Sequence, residues 1–167
     1  MPFFLTTPFY HTRTHNSIKT VYFALTWKFQ KLIPPPAYSD EEINTLWSKL
    51  YEINNVDIIL IMIYTGLRPT ELLEIQTENV HLDEKYMVGG MQTEAGKDRI
   101  IPLNDKIMPL VKNRYDANKK YLINNKFWNH YTYGTYMNGN FNTCMGKLKM
   151  KHLPHDGRHT FASLMDS

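Results

Sequence analysis

The stretch IILIMIYTGLRPTELLEI, residues 58–75, decides how the chain is organised. Residues 58–64 are apolar throughout, which predicts a helix from about Val56 to Tyr64 that is buried nearly all round and therefore central. Gly66 is placed to end it as a left-handed cap, and Pro69 suits the first position of a third short helix, TELLEI. Arg68 falls between the two, a cation at the rim of a core held by rigid elements on both sides. Its simplest reading is a surface arginine paired with Glu71, three residues on.

Upstream of this stretch, YSDEEINTLWSKLYEI opens a helix. Ser39 and Glu42 form a capping-box pattern, Asp40 and Glu41 suit the positive helix end, and Ile43, Leu46, Trp47 and Leu50 define one apolar face. Downstream, residues 80–103 lose the helical period. NVHL, YMVGGMQT and DRIIPL read as three short strands joined at LDEK and at EAGK, where Gly96 makes the turn. Helices resume at 104–115, around 136–148 and at 155–165. The expected fold is a mainly helical α+β domain with a small three-stranded antiparallel sheet.

The segment before residue 38 differs in kind. Residues 1–37 hold Arg13, Lys19, Lys28 and Lys31 and no acid, whereas the remaining 130 residues hold 15 basic and 16 acidic groups. VYFALTWKF at 21–29 fits a strand or a helical turn equally, and Pro34, Pro35 and Pro36 stiffen the chain into an extended connector. The expected division is a tail and Pro-rich linker over 1–37 and a main domain over 38–167.

Composition is that of a globular protein, 43% apolar and 21% charged, with a net charge of +3 that permits a polyanionic partner without demanding one. The single cysteine, Cys144, excludes an internal disulfide and fits a reducing compartment. No apolar run approaches the roughly 18 residues of a membrane span, and MPFFLTTPFY lacks the pattern of a signal peptide. A cytoplasmic location without membrane contact is expected.

The second informative stretch is LPHDGRHTFASLM, residues 153–165. A helix starting near His155 would set His155 and Arg158 on one face. The alternative is an ordinary amphipathic helix with Phe161, Leu164 and Met165 in the core and its His and Arg solvated. His152, His155 and His159 also invite a zinc reading. His152 lies before Pro154, outside that helix, and the usual thiolates or carboxylates are missing, so neither metal nor other cofactor is expected.

TGLRPTEL and HDGRHTF, separated by a β-hairpin ending in KDRIIPL, together resemble the catalytic domain of the tyrosine recombinases, the phage-integrase type, over residues 38–167. The resemblance implies that domain's core and its chemistry. DNA is cut and rejoined through a 3′-phosphotyrosine, two arginines grip the scissile phosphate, a histidine assists proton transfer, and a hairpin lysine protonates the leaving 5′-oxygen. Carried onto this chain, the arginines are Arg68 and Arg158 and the histidine is His155. Double-stranded DNA is the implied partner, with protomers assembled on it, and 1–37 becomes the remnant of a DNA-binding domain.

Two departures stand against the full activity. Gln92 occupies the hairpin position where the family has lysine, and a carboxamide is no acid. Lys97, across the turn, is the substitute candidate, its alternative being a solvated turn lysine. The chain also ends at Ser167, before the family's nucleophilic tyrosine. Tyr131, Tyr133 and Tyr136 precede the HDGRH motif and are expected to pack or to stack near DNA. Two functions follow: a fragment of a strand-transferring recombinase that does not itself cut DNA, or a non-catalytic DNA-binding remnant that keeps only the phosphate grip.

Overall fold

A computed structural model of the protein describes residues 37–90, 98–125, 127 and 130–166. The segment 21–29, the prolines 34–36, the hairpin turn at 94–97, Gln92 and Lys97 lie outside the described residues.

Helix α1 spans Asp40–Ser48 and starts with the full capping box: Ser39 accepts from the Glu42 N–H at 3.2 Å, and Glu42 accepts from the Ser39 N–H at 2.9 Å. Helix α2, Val56–Thr65, is the centre of the domain, with every residue from Ile58 to Ile63 at most 1% exposed. Gly66 caps it at φ 64°, and α3 (Pro69–Leu73) follows with proline in its first turn. Burial on all sides makes α2 the surface on which other helices pack. It contacts α1, α4 (Met108–Arg114) and most extensively α7 (Asp156–Met165). Arg114 clamps α4 to α2 with a two-pronged bond to Asp57, at 2.5 and 2.7 Å.

The sheet is antiparallel in the order β1 (Val80–His81), β2 (Tyr86–Gly89), β3 (Arg99–Pro102). Its register pairs Met87 with Ile101 and Gly89 with Arg99, so the buried Met87 and Ile101 face the core together. The strands sit where the sequence placed them; β1 and β3 are shorter than expected, and residues 91–93 of the second expected strand lie outside the described residues.

Three expectations need correction. Helix α4 begins at Met108 rather than Asn104, because the Asn104 carboxamide accepts from the Lys106 and Ile107 N–H groups and forms a turn. The segment expected near 136–148 begins earlier, at α5 (Tyr133–Thr135), then winds as a π-helix over Tyr136–Phe141 before α6 (Asn142–Leu148). The wider winding brings residues five apart onto one face, and Tyr136 and Phe141 are both buried, their rings 6.1 Å apart. On α7, Leu164 and Met165 are 38% and 70% exposed, so the core-face alternative fails for them.

The α2–α7 contact is tight where it matters. A Cβ on Gly66 would fall 2.4 Å from the Phe161 ring, at a backbone φ that side chains rarely adopt. Gly66→Ala is expected to lower stability by at least about 2 kcal/mol, the combined cost of left-handed backbone and overpacking, read as a shift in the urea unfolding midpoint.

Candidate functional site

Arg68 is fixed by its own helix. The Glu71 carboxylate accepts from the Arg68 N–H at 2.7 Å and from its guanidinium at 3.0 Å. The Glu71 side chain is 2% exposed, whereas that of Arg68 is 43% exposed. The two readings of Arg68, ion pair or functional cation, therefore do not exclude each other. One edge of the guanidinium is locked while the rest faces solvent, and locking a long side chain in advance removes the entropy it would lose on binding.

Arg158 reaches the same place from α7. Its guanidinium donates to the Gly66 carbonyl at 2.7 Å, across 92 residues of sequence. That carbonyl belongs to the left-handed cap of α2, so the turn that positions Arg68 also anchors Arg158. Burial, then the charge of Arg68, holds Arg158 below the ordinary arginine value; Arg99 adds to this and Glu71 opposes it.

His155 caps α7, and its ring lies 5.5 Å from that of His159. Its imidazole is held below the ordinary histidine value by desolvation first, then by the charges of His159, Arg68 and Arg158. The residue is exposed, and a ring held below the ordinary histidine value by desolvation and then by these neighbours is mainly neutral at pH 7. Arg68, His155 and Arg158 are thus brought together, while Lys97 lies outside the described residues.

Two features escaped the sequence reading. Arg99, at the start of β3, directs a guanidinium nitrogen to within 4.0 Å of Glu71. His152 is a clamp: its side chain is 8% exposed, stacks on Tyr38 with ring centroids 3.8 Å apart, and bridges Glu42 and Asp156 at 3.1 Å each. Asp156 also accepts from the Leu153 N–H at 2.9 Å, fixing the turn before α7. The H-x3-D spacing at 152–156 was the available signal; the third partner, Glu42, is 110 residues away. Among the described residues no group of three His, Cys, Asp or Glu side chains is placed to hold a metal ion, and no helix is long and apolar enough to cross a membrane.

The tyrosine cluster divides. Tyr136 is buried and its hydroxyl pKa is pushed well above the usual value by burial. Tyr131 accepts from Asn140 at 2.7 Å, and Tyr133 is 41% exposed. Cys144 is buried, which pushes its thiol up to about 11 and leaves it unreactive.

Residues 38–166 match the model of the phage integrase family. A curated relative, a tyrosine recombinase of Thermosipho africanus (strain TCF52B), is 28% identical over 88 residues, which are 49% of this chain and 30% of that protein. Among solved structures, XerA recombinase aligns with a TM-score of 0.66 at 22% identity, covering 80% of this chain and 51% of its own. The integrase of transposon Tn1549, in complex with a circular intermediate DNA, aligns at 0.64 and 18%, covering 80% and 54%. The integrase from mycobacterium phage Brujita aligns at 0.62 and 19%, covering 78% and 44%. The chain therefore spans about half the length of these solved chains and less than a third of the curated relative. At such identities the structures attest the fold, that of a tyrosine-recombinase catalytic domain.

The charge cluster makes a spectroscopic prediction. His155 should titrate below 6.5, the ordinary histidine value, in a proton-detected titration. Removing a neighbouring cation favours the protonated ring, so Arg158→Met should raise the His155 pKa toward that value. A His155 titration unmoved by the substitution would separate the two residues electrostatically.

Proposed function

The chain belongs to the phage integrase family, and from that premise we propose that residues 38–167 are part of a tyrosine-recombinase catalytic domain that binds duplex DNA through its backbone phosphates. Arg68 and Arg158 grip the phosphate, and His155 handles the proton. The observation that carries this reading is the shared anchoring of both arginines at the α2–α3 turn, Arg158 on the Gly66 carbonyl and Arg68 on Glu71.

The chemistry suits that arrangement. Attack on phosphorus builds negative charge on the non-bridging oxygens, and planar guanidinium groups meet those oxygens with paired hydrogen bonds. Donors held in place beforehand need no reorganisation when the charge develops. A histidine that is neutral at pH 7 accepts a proton from an attacking hydroxyl and returns it later. The acid-free 1–37 segment, with four basic residues, adds attraction along the duplex.

Gln92 favours a second reading, DNA binding without strand cleavage, because a carboxamide cannot protonate a leaving oxygen. Lys97 is the residue that would restore the acid. Both readings share the phosphate grip and differ only in turnover.

Binding tests the shared part. Phosphate contacts position a protein without reading bases, so affinity should be largely sequence-independent, on the order of micromolar or weaker, and steeply salt-dependent. Arg68→Ala combined with Arg158→Ala should flatten the log–log salt dependence by about two units. A double variant with the parent's affinity and slope would remove these arginines from the phosphate grip.

A further inference from the structure

A third arginine stands at this site without a role. Arg99 begins β3, paired across the ladder with Gly89, so the sheet's hydrogen bonds fix its backbone. Its side chain is 41% exposed, almost the same as Arg68, and points back toward the buried Glu71. A cavity of about 310 Å³ lies beside it, lined by Thr65, Gly66, Arg99, Arg158 and the α7 residues Phe161 and Met165 among others. Arg99 and Arg158 thus line one concavity from two sides, one supplied by the hairpin and the other by α7.

The electrostatics are unusual for a purely structural cluster. Three guanidinium groups, those of Arg68, Arg99 and Arg158, gather around the single buried carboxylate of Glu71. At 4.0 Å the Arg99 pair is too long for a hydrogen bond, so its donors are not used up on Glu71. Glu71, even together with the exposed Asp166 that also lines the cavity, cannot balance three like charges, and an arrangement left cationic in this way is relieved by an anion. A single tetrahedral phosphate or two neighbouring backbone phosphates would supply it.

We propose that Arg99 is a third phosphate-binding arginine, which holds the DNA backbone from the hairpin side, across the cavity from Arg158. This rests on the DNA-binding reading above. A guanidinium is not a proton donor in acid–base chemistry, so Arg99 cannot serve as the acid that Gln92 lacks. Its contribution is grip: a fixed, forked donor set that neutralises charge on the nucleic acid.

The test compares salt dependence of binding to a duplex of fixed, arbitrary sequence, using the full chain. Arg99→Ala should weaken binding and lower the slope by about one unit, and Arg99→Gln should do the same while keeping the side chain's bulk. Lys112→Ala, which removes an exposed cation on α4, controls for net charge and should leave the slope unchanged. Arg99→Ala added to Arg68→Ala separates contact from support. If Arg99 touches phosphate itself, its loss lowers the slope further. If it only steadies Glu71 and Arg68, the second substitution changes nothing and the proposal falls. A slope that drops for Arg68 and Arg158 but not for Arg99 overturns this inference alone. A slope indifferent to all three overturns the DNA-binding reading with it.

Discussion

Helices α2 and α7 meet with almost no space between their backbones, and the site depends on that closeness. Gly157 sits so near α2 that a Cβ there would stand 3.1 Å from the Met62 Cβ, while Phe161 covers Gly66. Only at this separation does the Arg158 guanidinium reach the Gly66 carbonyl. A larger residue at 157 would push α7 outward and carry Arg158 and His155 with it. Packing distance, set by a missing side chain, thus becomes the geometry of the arginine site. The rigidity comes from α2, whose burial leaves it no direction in which to yield.

Against this close packing stands an electrostatic cost. Bringing Arg68, Arg99 and Arg158 within reach of one another is unfavourable in the absence of an anion, and the lowered value of Arg158, set first by desolvation, is lowered further by Arg68 and Arg99. The buried Glu71 offsets part of the repulsion and also spends one oxygen on the Arg68 backbone, joining helix capping to charge placement in a single side chain. Local rules that merely begin a helix elsewhere here also orient a cation. Sites that conflict with the domain's own stability in this way are where ligands act.

The sequence was legible wherever structure is decided by neighbours in the chain. The Ser39–Glu42 box, the Gly66 cap, Pro69 at the start of α3 and the antiparallel strands all follow from spacing over a few residues. The π-winding at Tyr136–Phe141 was not legible, because it answers to what both rings pack against. Exposure of Leu164 and Met165 was likewise hidden: helical periodicity marks an apolar face but not whether another element covers it. Within the site, Arg68, His155 and Arg158 stood out through their motifs. Arg99 was passed over as a strand residue, and His152 was weighed only as a metal ligand, since their partners Glu71 and Glu42 are remote in sequence.

The His152 clamp bears on how the domain assembles during synthesis. Helix α1 emerges well before two of its partners: Glu42 waits for His152, and the Tyr38 N–H waits for the Thr160 hydroxyl, 110 and 122 residues downstream. At typical translation rates that interval is on the order of ten seconds. Throughout it, α1 can pack against α2, its neighbour along the chain. The ring of Tyr38 stacks on the imidazole of His152, so the synthesis that brings out His152 and α7 also locks α1. Arg158 likewise reaches the Gly66 carbonyl only after α7 is made, so the arginine cluster and the α1 clamp become possible at the same stage of synthesis.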